Sequence, residues 1–158
     1  GARVVLNLAP AGEVPKQLFA LVDYLIVNLV EARQLAQKMK IKAQSDAKAL
    51  ATALAKEARL TCIITMGKDG VVCAEESGKG FSVPALKIDN VVDTTGAGDC
   101  FCGTFAACLH ERRTLIVAVK MAIVASGISC THEGTMDSYP YLSDIEERIG
   151  ELPKAETF

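Results

Sequence analysis

An α/β fold built on a largely parallel sheet is what this 158-residue sequence predicts. Three observations carry the expectation. Short apolar or β-branched runs alternate with stretches whose apolar residues recur at helical spacing, and that order places helices on the faces of a parallel sheet. Half of the residues are hydrophobic and the mean hydropathy is +0.26, which argues for a well-buried interior and against disorder. Polar residues gather where strand-like runs stop, and in open α/β sheets ligands bind outside the carboxyl ends of the strands. The length suits one compact domain and is short for two.

The elements follow in order. Residues 3–8 (RVVLNL) read as a strand and residues 9–12 (APAG) as a turn. Residues 14–22 read as a short helix, residues 24–28 (YLIVN) as a second strand, and residues 30–38 as a helix opening after Asn28. Ser45 is placed to cap a longer helix through Ala47, Ala49, Leu50, Ala53 and Leu54, whose spacing fits the 3.6-residue period. Residues 61–66 (TCIITM) form a buried strand, residues 67–70 (GKDG) a turn, and residues 71–74 (VVCA) a further strand with which Phe81-Ser82-Val83 can pair. Residues 91–95 (VVDTT) read as a strand end leading into a helix over 97–109, and residues 114–131 as another apolar helix. Asn28, the Thr65-x-Gly67 step and residues 93–99 are therefore expected at strand ends on one rim.

A formal charge of −2 leaves no basic surplus for nucleic acid, and 5% aromatic content leaves few stacking platforms. No apolar run approaches a membrane span and no signal peptide is visible. Cys62, Cys73, Cys100, Cys102, Cys108 and Cys130 fall on strand or helix runs without a C-x-x-C pair or a histidine at ligand spacing. Zinc is not expected, and free thiols in a reducing compartment are. The chain opens within two residues of its first strand run, where a natural N-terminus rarely starts, so an upstream part is expected.

Chemistry concentrates in residues 96–99 (GAGD). Glycines opening a helix aim backbone N–H groups at an anion, with the helix dipole adding positive potential. The same residues could simply join two elements. No G-x-x-x-x-G-K-[ST] loop occurs, and Phe101 stands where a dinucleotide fingerprint places a third glycine. Asp99 beside this turn can take a proton from an attacking hydroxyl while the N–H groups hold charge on a transferred phosphoryl group, or serve only as an N-terminal helix carboxylate. Asp93 can be a ligand or a carboxylate satisfied by turn N–H groups.

Residues 93–101 (DTTGAGDCF) resemble the D-T-T-G-A-G-D-x-F signature of the ribokinase-like (PfkB) sugar kinases. Asn28-x-x-Glu31 is similar to that family's N-x-x-E motif, and residues 65–70 (TMGKDG) to its T-x-G-x-x-G nucleotide segment. Residues 7–11 (NLAPA) resemble the N-x-A-P-A turn of its ribokinase branch, and residues 134–140 (GTMDSYP) the G-T-x-x-S-Y-P segment of eukaryotic-type members. The resemblance covers only the second half of the family's fold. It implies a three-layer α/β/α sandwich with a mostly parallel sheet, of which residues 1–158 would be the C-terminal nucleotide-binding portion. The sugar-binding part and lid would lie outside it.

By the same resemblance, Asp99 acts as general base and Gly96, Ala97 and Gly98 form the anion hole. Asn28, Thr65, Met66, Gly67, Lys68, Asp69 and Gly70 contact the nucleotide, with Gly98 and Asp99. Asn28 and Glu31 order Mg²⁺ through water, and Asp93, Thr95, Ser129, His132, Gly134 and Ser138 match loops that hold K⁺, mostly through carbonyls. Ile123 departs from the polar residue that many members set against adenine, and the His132 imidazole is equally readable as an ordinary surface group. The implied reaction is transfer of the ATP γ-phosphoryl group to the 5-hydroxyl of D-ribose by a cytoplasmic homodimer, with neither nucleic acid nor membrane as partner. The fragment alone is expected to be inactive. A fructose or nucleoside kinase, and a non-catalytic nucleotide-binding module, are the alternatives.

Overall fold

The structure, a computed structural model, describes residues 1–12, 14–42, 44 and 46–158. It divides into two compact units: Gly1–Gly67 with Val71–Ser82 and Glu156–Phe158, and Lys68–Gly70 with Val83–Ala155.

The first unit is organised by a sheet. Its strands are β1 (Val5–Asn7), β2 (Tyr24–Asn28), β3 (Thr61–Thr65), β4 (Val71–Ala74), β5 (Gly80–Val83) and β6 (Glu156–Thr157), hydrogen-bonded in that order. β1, β2 and β3 run parallel, whereas β3–β4 and β5–β6 are antiparallel. The α/β class holds, and the parallel character stops where chain length dictates. The short link from Thr65 to Val71 leaves no room for the crossover a parallel neighbour needs, so β4 must return antiparallel.

Helices α1 (Lys16–Phe19), α2 (Leu29–Lys38) and α3 (Ala47–Ala58) belong to this unit. α1 is shorter than the 14–22 stretch expected; its last turn passes into the bonds Leu21 N–H to Leu18 O and Val22 N–H to Phe19 O. The capping role expected of Ser45 lies outside the described residues; Asp46 Oδ1 accepts the Ala49 N–H at 2.8 Å and caps α3. The alanine-rich sequence of α3 has high helix propensity, and Arg59 in the left-handed region (φ 57°) ends it while Leu60 N–H bonds Ala55 O at 3.1 Å. Alternate strand residues Leu25 and Val27, Cys62 and Ile64, Val72 and Ala74 share a core with Leu50, Leu54 and Ala55 of α3. Leu54 is wholly buried, which contributes ~1.5–3 kcal/mol. Ile26, Ile63 and Cys73 are buried as well, as continuous apolar strands require.

The second unit is helical, with α4 (Ala97–His110), α5 (Leu115–Ser129) and α6 (Leu142–Arg148). α4 and α5 pack as a hairpin, and α5 is buried nearly all round, from Ala118 and Val119 through Met121–Ala125. Phe101 and Phe105 stack along α4 with ring centroids 6.5 Å apart. Residues 91–95 are not the strand end expected from their β-branched run. They are irregular, because Val92 and Asp93 give their N–H groups to Cys130 O at the end of α5 (2.8 and 3.3 Å) and to no neighbouring strand. Among the described residues no helix is long and apolar enough to cross a membrane.

Candidate functional site

In the first unit, polar residues end the parallel strands as the rim argument requires. Asn7 closes β1, Asn28 closes β2 and Thr65 closes β3, with Asn28 and Thr65 direct partners in register. Asn28 and Glu31 form a reciprocal capping box: Asn28 Oδ1 accepts the Glu31 N–H at 2.9 Å, and Glu31 Oε2 accepts the Asn28 N–H at 2.7 Å. The N-x-x-E spacing thus has a local cause, and it leaves the second carboxylate oxygen of Glu31 and the Asn28 amide N–H₂ outside the box. Thr65 Oγ1 donates to Val27 O at 3.4 Å, Met66 is half-buried against the core, and Gly67 is exposed. Lys38 Nζ, on the last turn of α2, donates to Ala11 O and Gly12 O (2.8 and 2.9 Å) and so holds the turn after β1. Nothing in the sequence motifs points to that lysine.

In the second unit the helix-opening turn is built as the GAGD pattern requires, though not at a strand end. Gly96 has φ 76°, and a Cβ there would lie 3.1 Å from Thr135 Cγ2 and Tyr139 Oη, so only glycine fits. Its carbonyl starts α4 by accepting the Cys100 N–H at 2.8 Å, while the Ala97 N–H turns back to Thr94 O at 3.2 Å. Gly98 and Asp99 lie in the first turn, where N–H groups have no intrahelical acceptor, and both are exposed. Around Gly98 an added Cβ would meet nothing within 4 Å. The fold requires Gly96; at Gly98 the missing side chain leaves open space over the helix N-terminus, where potential is positive. Lys68 and Asp69 are exposed in a short 3-10 turn, and Gly70 (φ 92°) is buried against the backbone of Val83–Ala85. Ile123 is buried in α5.

Asp93 is held by three donors. Oδ1 accepts the Thr95 N–H and Oγ1–H at 2.9 and 2.6 Å, and Oδ2 accepts the Gly134 N–H at 3.1 Å. These bonds, the Thr95 hydroxyl foremost, then the Thr95 and Gly134 N–H groups, hold its carboxyl below the ordinary carboxylate range. A depressed folded pKa stabilises the native state above the unfolded value, ~3.9, and that contribution is lost as pH falls through the folded one. The stability difference between wild type and Asp93→Asn should therefore shrink as thermal unfolding is followed from pH 6 down to pH 2. A constant difference would mean that the carboxylate charge is not what these donors bind. Ser129 and Ser138 are buried, their hydroxyls donating to Ser126 O (2.9 Å) and Thr135 O (2.6 Å). His132 is exposed, Nδ1 2.9 Å from Thr131 Oγ1.

All six cysteines are free thiols, and burial raises each of them, Cys62 to about 12 and Cys102 to about 11 with help from the Asp99 carboxylate. Thiolate nucleophiles are thus disfavoured. Among the described residues no three His, Cys, Asp or Glu side chains converge on a metal position.

The motif reading includes Tyr139 in the 134–140 segment and gives it no role. Its hydroxyl donates to Gly96 O at 3.3 Å, and burial, then the Asp99 carboxylate and Cys100, hold the phenol above its ordinary range. It is therefore a neutral donor at physiological pH.

Comparison with known proteins is consistent with this geometry. The sequence pattern of the pfkB family carbohydrate kinases matches residues 2–142. The ribokinase of Lactococcus lactis is 31% identical over 151 residues, which are 95% of this chain and 46% of that protein. The crystal structure of ribokinase from Thermotoga maritima superposes with a TM-score of 0.82 at 28% identity, over 94% of this chain and 49% of that one. That of Cryptococcus neoformans ribokinase in complex with ADP gives 0.76 at 32% identity, over 92% and 51%. The chain spans about half the length of the curated relatives it matches, and its architecture is the ribokinase-like α/β fold. With that pattern running through nearly the whole chain, the protein belongs to the pfkB family of carbohydrate kinases.

Proposed function

We propose that this chain is the nucleotide-binding portion of an ATP-dependent sugar kinase that phosphorylates the 5-hydroxyl of D-ribose, releasing ADP. The observation that carries the reading is the opening of α4, where a fold-required glycine, an open glycine and an exposed carboxylate occupy four consecutive residues. Asp99 takes the proton from the acceptor hydroxyl as its oxygen forms the new bond to phosphorus, and ADP leaves. The turn Gly96-Ala97-Gly98 holds charge on the transferred group through backbone dipoles. Thr65, Met66, Gly67, Lys68, Asp69 and Gly70 serve the nucleotide. The ADP complex of the Cryptococcus relative supports the nucleotide half of this reading, and the ribokinases among its relatives support ribose.

Two cations belong to the proposal. Glu31 keeps a carboxylate oxygen free of the capping box, which fits Mg²⁺ held through water and phosphate, a hard ion that retains several waters. Asp93, with Thr95, Ser129, His132, Gly134 and Ser138, offers oxygen donors for K⁺, whose charge would add positive potential beside the turn. The implied homodimer is likewise a proposal.

ADP release by the whole protein, measured against ribose, deoxyribose, fructose and adenosine in K⁺, Na⁺ or tetramethylammonium, tests the reading. Ribose in K⁺ should give the highest kcat/KM. Preference for another acceptor would move the substrate assignment and leave the kinase. Equal rates in all three cations would leave Asp93 a purely structural carboxylate, and absence of turnover with every acceptor would remove the kinase reading.

A further inference from the structure

We propose that Tyr139 is a positioning residue for the phosphoryl-transfer turn, a role that rests on the kinase reading above. The segment 134–139 grips the turn 93–96 at two points. Gly134 N–H donates to Asp93 Oδ2 at 3.1 Å, and Tyr139 Oη–H donates to Gly96 O at 3.3 Å. Between these points the segment is braced by its own turn: Ser138 gives both its N–H (3.0 Å) and its hydroxyl (2.6 Å) to Thr135 O, and Tyr139 N–H bonds Met136 O at 3.3 Å.

The oxygen that Tyr139 reaches is the one that starts α4. Gly96 O already accepts the Cys100 N–H at 2.8 Å, so the phenol holds the Gly96–Ala97 peptide from a second direction. Because that unit is planar, holding its carbonyl also holds the Ala97 N–H, which bonds Thr94 O at 3.2 Å, and so steadies the first turn from which the Gly98 and Asp99 N–H groups project. Thr135 and the Tyr139 hydroxyl also occupy the space a Gly96 side chain would need. Tyr139 and Thr135 together thus crowd side chains out of the turn, and the Tyr139 hydroxyl alone holds its opening peptide.

Tyr139→Phe in the whole protein removes one hydroxyl and keeps the ring. Loss of a neutral hydrogen bond should lower kcat ~2–10-fold, with KM for the sugar and the thermal midpoint near wild type. Amide hydrogen exchange at Gly98–Cys100 should quicken by a similar factor while the α5 amides stay unchanged. If the tyrosine were merely structural, the substitution would lower the thermal midpoint and quicken exchange throughout α4 and α5, with kcat below the transition untouched. Wild-type kcat in the variant, or wild-type exchange at 98–100, overturns the proposal. If the wild-type protein itself transfers no phosphoryl group, it is the kinase reading that has failed, and the exchange measurement alone then decides whether Tyr139 holds the turn.

Discussion

With Asp99 as the proposed base, Asp99→Asn should lower kcat of the whole protein by ~10²–10⁴-fold, the range a positioned base supplies, with little change in nucleotide affinity. The amide cannot take a proton from an acceptor hydroxyl, whereas the proposed anion-holding groups are backbone and survive the substitution. Stability is a minor confounder. Asp99 is exposed in the first turn of α4, so losing its charge there forfeits only the ~0.3–1 kcal/mol of a carboxylate near a helix N-terminus. Single-turnover rates at saturating ATP, alongside thermal midpoints, separate the two effects. A variant that keeps most of the wild-type single-turnover rate shows that the proton goes elsewhere.

Gly70→Ala has the largest expected effect on stability. The residue has φ 92°, its new Cβ would overlap the Val83 carbonyl oxygen, and it would lie 2.7 Å from Ala85 N and Pro84 C. The positive φ costs ~1–2 kcal/mol for an L-residue and overpacking ~1–3 kcal/mol. A loss of roughly 2–5 kcal/mol is a large part of the ~5–15 kcal/mol that holds a domain together. Gly98→Ala is the matched control. In a helix with no atom of another segment within 4 Å of the new methyl, it should gain ~0.5–1 kcal/mol while crowding the proposed anion site. Urea unfolding of both variants, with ADP titration of the second, reads the contrast. Equal midpoints for Gly70→Ala and wild type would mean that the 68–70 turn does not lie against Val83–Ala85.

Much was legible because it is local. The strands at 24–28 and 71–74 are read with the bounds the structure shows, since four consecutive apolar residues between turn signals leave little choice of extent. α4 and α5 were placed within two residues at every end. The Asn28-x-x-Glu31 spacing is visible in the sequence as a motif, while its action as a capping box comes from the structure. Even the left-handed turn at Gly96 follows from residue type.

The misreadings share a cause. Residues 91–95 have strand composition, yet a strand exists only where a neighbour supplies the ladder, and here the end of α5 takes the Val92 and Asp93 N–H groups instead. The direction of β4, which its residues leave open, is set by the short connection from Thr65 to Val71. Residue types and spacing by themselves determined the α/β class, the places of α4 and α5, the glycine turn and the carboxylate beside it. Only the tertiary structure decided that Asp93 is bound by Gly134 from 41 residues away, that Lys38 holds the turn after β1, and that Tyr139 reaches Gly96 across 43 residues. A hydrogen bond within one turn is dictated by backbone geometry, whereas a bond between distant segments exists only after packing has brought its donor and acceptor together.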